Sequence, residues 1–287
     1  MTKTIDPNSI SQPELHSILL TAVAPRPICF ASTVDTNGNV NLSPYSFFNV
    51  FSSAPPVMIF SPSRSGRDGS LKHTHLNIRE VPEVVINVVN HQIVEQMSLS
   101  STAYAKGVNE FEKSGLTEVA SDLVKPPRVG EAPVSFECTV REIIELAETP
   151  GAGNLIIVEV KRIHLNETYV TNGSLDTEKL DLVGRMGGSW YIKANGDALF
   201  EIPKPLRSKG IGVDALPQGI RESAILTGNN LGRLGNLEEL STATEIEIVA
   251  KQYPISSKSK LHEKAKQLLE SGNSKEAMAL LMYAETI

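Results

Sequence analysis

The sequence predicts a mainly β protein: an antiparallel barrel with peripheral helices, followed by a C-terminal extension that ends in helices. Three observations predict it. Short runs rich in Val, Ile, Phe and Thr recur closely between residues 28 and 170. An Asn37-Gly38 pair sits between two of these runs, the strongest short-range hairpin signal. Neither a βαβ alternation nor a GxGxxG pattern is found, which argues against a dinucleotide-binding α/β domain.

The elements follow in order. LHSILLTAVAPRPICF (15–30) reads as a short helix ending before Pro25, because proline disfavours helix at itself and at the preceding residue. ICFASTV (28–34) and VNLSPYSFFNVFS (40–52) are expected to pair antiparallel across DTNGN. Pro55-Pro56 precede a third strand, VMIFSP (57–62), and SRSGRDGS is a loop punctuated by Gly66 and Gly69. LKHTHLNIREVP is a helix that stops by Pro82, EVVINVV (83–89) a fourth strand, and 91–105 a helical stretch. Two long strands, 134–146 and 154–170, flank PGAG, and LDLVGRMGGSWYIKA closes the section near residue 194.

Residues 1–200 are therefore assigned to the barrel domain. Residues 201–257 carry Pro203, Pro205 and LTGNNLGRLGN, and are expected to be an extended segment wrapping that domain without a core of its own. A loop this long, 205–250, is expected to serve as a lid over the site. Residues 258–287 read as a tail of two helices joined at SGN. Asn273 and Glu276 resemble an N-cap box, and Leu261, Ala265, Leu268 and Leu269 share one face.

Composition narrows the function classes. A 287-residue chain with 40% hydrophobic and 21% charged residues can bury a sizeable core. The net charge of −6 argues against nucleic acid or an anionic membrane as the main partner. No run approaches the roughly 18 apolar residues of a membrane span. MTKTIDPNSISQPE lacks the apolar core of a secretory signal, so a cytoplasmic location is expected. Cys29 and Cys138 lie in apolar runs and are expected to be buried free thiols. His73 and His75 form HxH with no accompanying Cys or HExxH pattern, so no metal is expected.

Two stretches carry the chemistry. SPSRSGRDGSLKHTHLN (61–77) concentrates Ser63, Arg64, Ser65, Arg67, Ser70, Lys72 and Thr74 just where a loop enters a helix. Free N–H groups at a helix start attract anions, Arg adds forked donors and Lys a point charge, a donor set suited to a phosphate monoester. It is not a Walker A motif, and in isolation a solvated basic loop would look the same. The second stretch, NLSPYSFF (41–48), mixes aromatics with Ser43, Pro44 and Ser46. Pro44 removes a backbone donor, which places its strand at an edge or bulge. Alternation would send Ser43, Tyr45 and Phe47 one way and Pro44, Ser46 and Phe48 the other. Core aromatics explain such a run equally well. A planar cofactor with a phosphate tail, such as FMN, would use both stretches together.

Over residues 20–195 the chain resembles the flavin reductase-like family of FMN-binding split barrels. The resemblance rests on PRPICFASTVDTNGNVNLSPYSFFNVFSSAPPVMIF, SRSGRDGSLKHTHLNI, VVINVV, GVNEFEKSGLT and GRMGGSWY, in that order. It implies a split β-barrel with FMN as cofactor, and carries Asn41, Ser43, Pro44, Tyr45, Ser46 and Phe47 to the ring. Ser61, Arg64, Lys72 and Thr74 go to the ribityl phosphate, with Arg67 of the same loop beside them. It also implies a homodimer with FMN near the interface, to which Arg185 of GRMGG is the candidate contribution. One departure stands out: the family usually shows Lys-Asp-Thr where this chain has Lys72-His73-Thr74, and His73 is expected to point away from the phosphate.

The implied activity is NAD(P)H-dependent flavin reductase-type hydride transfer to FMN and on to a second acceptor: a flavin, a metal complex or a protein. Because the flavin carries that chemistry, no catalytic side chain is assigned. Three alternatives stay open: a flavin electron-transfer protein, the reductase component of a two-component monooxygenase, and a non-catalytic flavin- or haem-binding module.

Overall fold

The Asn37-Gly38 turn closes the first hairpin. Gly38 takes φ +84, and the Asp35 carboxylate accepts the N–H groups of Asn37 and Asn39. The computed structural model describes residues 1–202 and 208–287. They form two compact units, Met1–Leu199 and Phe200–Ile287.

The first unit begins with helix α1 (Gln12–Ala22), capped by Ser11 and ending ahead of Pro25. The buried Arg26 closes its far end by donating to the carbonyls of Leu20 and Val23. Strands β1 (Arg26–Pro27), β2 (Cys29–Val34), β3 (Val40–Tyr45), β4 (Phe48–Ser53) and β5 (Pro56–Phe60) follow, then helix α2 (His73–Glu80) and strand β6 (Glu83–Val88). Helices α3 (Val94–Ser100) and α4 (Glu110–Ser114) precede a small ribbon, β7 (Glu118–Val119) with β8 (Arg128–Val129). The long hairpin β9 (Val134–Glu145) and β10 (Asn154–Leu165) leads to a second ribbon, β11 (Val170–Thr171) with β12 (Ser174–Leu175). Helix α5 (Thr177–Leu180) and strands β13 (Leu182–Arg185) and β14 (Tyr191–Ala194) complete the unit.

Seven strands form one antiparallel sheet in the order β3-β2-β6-β9-β10-β5-β4, and β1-β13-β14 form a second. All six residues of β2 are buried, because alternate side chains enter different core clusters. Cys29 and Ala31 join Met58, Phe60, Ile86, Cys138 and Ile156, while Ile28 and Phe30 join Leu42, Met97 and Phe111. Both cysteines are buried and unbridged.

Two expectations change here. Residues 40–52 are not one strand. The chain leaves the sheet edge at Ser46-Phe47, and β3 and β4 lie at opposite edges, because β4 pairs with β5 while β3 pairs with β2. The expected alternation therefore ends at Tyr45, and Phe48 packs on the core while Phe47 is exposed. Pro44 does lie on an edge strand, opposite Phe30.

The second change concerns 201–257. In place of an extended segment without a core, the described residues carry α6 (Gln218–Arg221), α7 (Gly228–Gly235) and α8 (Ala243–Gln252), before α9 (Lys258–Glu270) and α10 (Ser274–Ala284). Leu216, Ile220, Leu226, Leu234 and Val249 share one buried core with Leu261, Ala265, Leu268, Leu269 and Leu281. The long-loop basis for a lid disappears with it, and Pro203 and Pro205 lie outside the described residues. The anticipated N-cap box also fails. Asn273 makes no side-chain cap bond, and Glu276 instead accepts from the Tyr253 hydroxyl and Gln252.

Candidate functional site: a groove along the edge strand β3

The sequence places helix α2 so that its start lies beside β3. Lys72 occupies the N-cap position and its side chain cannot cap. Among the described residues the N–H groups of His73 and Thr74 find no acceptor, as first-turn donors do without a cap. The fully buried Thr74 hydroxyl then ties the helix to the strand. It accepts from Asn41 Nδ2 at 2.9 Å and from the Tyr45 hydroxyl at 2.8 Å. Burial pushes the Tyr45 hydroxyl well above its ordinary range, so it stays a neutral donor.

Beside this network lies a cavity of about 230 Å³, lined by Asn41, Ser43, Pro44, Tyr45, Arg67 and Lys72, among others. A second, of about 170 Å³, continues from the shared Pro44, Tyr45 and Ser101 to Ile28, Ser46, Met97, Arg185 and Tyr191. The Arg185 guanidinium stacks 4.5 Å from the centre of the Tyr191 ring. One end of the groove thus offers Arg67, Lys72 and free helix N–H groups, with the carboxylates of Asp68 and Glu110 beside them, and the other offers Ile28, Met97 and Tyr191 with the Arg185 guanidinium. Asp68, held down to about 2 by the Ser70 N–H and hydroxyl, fixes the loop between Arg67 and the helix. His73 is among the residues that line the first cavity. Burial, then Lys106 and Lys72, lower its pKa.

Nine of the expected residues gather here: Asn41, Ser43, Pro44, Tyr45, Arg67 and Lys72 line the first cavity, Thr74 is buried and bonded to Asn41 and Tyr45, and Ser46 and Arg185 line the second. Three do not. Phe47 is an exposed side chain whose carbonyl accepts the Ser61 N–H. The Ser61 hydroxyl accepts the Asn154 N–H. Arg64 is engaged by its own scaffold, donating to Gly69 O and Ala147 O and pairing with Glu145 at 2.7 Å. Arg64 therefore clasps the loop to the β9–β10 hairpin. Sequence reasoning assigned no role to Glu110, Ser101 or Tyr191; Glu110 and Tyr191 fall in the quoted segments GVNEFEKSGLT and GRMGGSWY, and Ser101 falls in none.

Elsewhere, Asp122, Glu137 and His164 offer three potential metal-ligand atoms within 4.8 Å of one another. They are already satisfied within the protein. Glu137 accepts from the N–H groups of Asp122 and Leu123 and lies 2.6 Å from His164 Nε2, while Asp122 pairs with Arg162.

The family described as "Flavin reductase like domain" matches residues 22–177, more than half of the chain. An uncharacterized protein of Aquifex aeolicus is 36% identical over 189 residues, spanning 66% of this chain and 94% of that one. Among solved structures, nitrilotriacetate monooxygenase component B from Bacillus cereus is 28% identical with a TM-score of 0.66. It covers 70% of this chain and 99% of its own. A split-barrel-domain protein from Shewanella frigidimarina is 26% identical with a TM-score of 0.58, covering 69% of this chain and 96% of its own. The chain belongs to the flavin reductase-like family, and its first unit has the split-barrel fold. It is a flavoprotein of oxidoreductase type.

The donor set fits a flavin. A ribityl phosphate matches the end with Arg67, Lys72 and the open start of α2, and a flat ring system matches the end with Met97, Tyr191 and the β3 edge.

Proposed function

We propose that this protein is an NAD(P)H-dependent FMN oxidoreductase that passes electrons to a second acceptor. The observation that carries the reading is the pair of adjoining cavities that share Pro44, Tyr45 and Ser101, one with Arg67 and Lys72 at the α2 start and the other walled by Ile28, Met97 and Tyr191, with Arg185 stacked on Tyr191. Bound flavin supplies the hydride acceptance and onward electron transfer. The chain binds and orients. Lys72, Arg67 and the N–H groups of His73 and Thr74 hold the phosphate. Asn41, Ser43, Pro44, Tyr45 and Ser46 line the ring and ribityl path, and the free edge of β3 lends backbone groups. Arg185 and Tyr191 flank the ring end.

A second copy of the chain completes the assembly. Among the described residues strand β4 is an unpaired edge with Val50 and Phe51 exposed at 62% and 63%, a surface that homodimerisation would cover. The unbridged, buried Cys29 and Cys138 suit a cytoplasmic protein. No helix among the described residues is long and apolar enough to cross a membrane.

The test is the visible absorption spectrum of the purified protein with FMN, followed by anaerobic NADH or NADPH. Flavin bands that bleach with either nucleotide support the proposal; bound flavin that bleaches with neither refutes it. A second reading, the reductase component of a two-component monooxygenase, is favoured by the similarity to nitrilotriacetate monooxygenase component B. FMN that exchanges freely in dialysis would favour it, and retained FMN would not.

A further inference from the structure

Glu110 is a buried carboxyl that no part of the proposed function has used. It opens α4, whose Asn109 cap accepts the Phe111 N–H, and Phe111 anchors the helix in the core beside Leu42 and Met97. The Ser114 hydroxyl donates to the Glu110 carbonyl at 2.6 Å. The backbone at Glu110 is thus fixed on both sides, and its side chain turns to the edge of β3.

There Glu110 Oε2 accepts the Leu42 N–H at 2.9 Å. Among the described residues β3 ends the sheet, and this donor has no partner strand. The residues flanking Leu42, Asn41 and Ser43, line the groove, and so does Glu110 itself, although only 3% exposed. Among the described residues no cation pairs with it, and burial pushes its carboxyl up. A buried acid without a countercharge is costly unless donors reach it.

We propose that Glu110 is the specificity-determining residue for the polyol of the bound flavin, its carboxylate accepting hydrogen bonds from ribityl hydroxyls. The proposal rests on the flavin reading above. Placement keeps Glu110 from the ring end. Glu110 lines the cavity that holds Arg67 and Lys72, but not the one that holds Arg185 and Tyr191. Chemistry agrees: a carboxylate repels phosphate and accepts from hydroxyls, and between phosphate and ring a flavin offers only hydroxyls.

The test compares FMN, riboflavin and lumiflavin, which keeps the ring but lacks the ribityl chain, binding to wild type and to Glu110→Gln. The amide keeps an oxygen for the Leu42 N–H, so the edge remains capped; a thermal melt checks the fold, and Glu110→Asp serves as the charge-keeping variant. The expected result is a roughly tenfold rise in Kd for FMN and riboflavin in Glu110→Gln, since charge-assisted bonds are about twice as strong as neutral ones. Lumiflavin affinity should be unchanged, and Glu110→Asp should recover part of the loss. Equal weakening of lumiflavin, or unchanged riboflavin affinity, overturns the assignment while leaving the flavin reading intact. Wild type that binds none of the three overturns the flavin reading and this proposal with it.

Discussion

Thr74 is the joint between α2 and β3, and removing its hydroxyl is a sharp test of how the groove is held. Thr74→Val keeps the shape and β-branching but deletes the acceptor shared by Asn41 and Tyr45. Asn41 is 5% exposed, so its amide N–H would be left buried and unpaired, a loss of about 1–3 kcal/mol. The Tyr45 hydroxyl also interacts with the Ser43 side chain, so its loss falls at the low end of the range. The sum is about 2–4 kcal/mol, or a fall in Tm of about 4–16 °C for a unit of this size. Urea unfolding followed by fluorescence of the single tryptophan, Trp190 of the first unit, reports it. Thr74→Ser restores the hydroxyl and should recover most of the loss. A Val variant within about 0.5 kcal/mol of wild type, the range of an inert surface change, refutes the reasoning, as does a Ser variant no better than Val.

Three further predictions concern the proposed phosphate end, the exposed β4 edge and pH. Lys72→Ala should weaken FMN binding by about 1.5–3 kcal/mol and barely affect riboflavin, whereas Arg64→Ala should lower stability without changing FMN-over-riboflavin preference; calorimetric titration of both ligands separates them. If the proposed dimer forms through β4, Phe51→Lys should shift the protein to monomer in analytical ultracentrifugation at unchanged secondary structure; an unchanged sedimentation coefficient would refute β4 as the interface. His75 is fully buried on α2, and burial first, then Arg79, depresses its pKa. Unfolding therefore takes up a proton at low pH: the stability it contributes is complete above about 6.5, the unfolded value, and is lost as pH falls towards the depressed folded value. Tm should decline over that window, and His75→Leu should flatten the decline.

The parts of this architecture legible in sequence were those set by neighbours in the chain. DTNGN gave the first hairpin, Pro25 and Pro82 the ends of α1 and α2, and Pro44 the sheet edge. What escaped was set by distant pairing. Nothing near Ser46-Phe47 announces that the chain leaves one edge of the sheet for the other, because the partner that captures Phe48–Ser53 is β5, ordered against β10. The basic loop showed the same limit. Arg64 and Arg67 look alike in sequence, and only the position of Glu145, in the β9–β10 hairpin, makes the first a structural clasp.

The second unit was hidden by its glycines. LTGNNLGRLGN reads as loop, yet it forms α7 behind a Thr227–Asn230 capping box, with Leu234 buried. Gly210 and Gly235 are there for a backbone crossing. A Cβ on Gly210 would come within 2.4 Å of the Gly235 carbonyl, and one on Gly235 within 3.0 Å of the Gly212 backbone. Tertiary approach, not turn chemistry, explains those residues, and a single sequence offers no local signal for it.

The central claim is that FMN occupies the groove along β3, and the most direct measurement is a crystal structure of the protein soaked with FMN. The account predicts phosphate density at the start of α2 beside Lys72, a ribityl chain passing Glu110, and the ring between Pro44 and Tyr191. Flavin bound elsewhere, or with its phosphate at the Arg185 end, would contradict it.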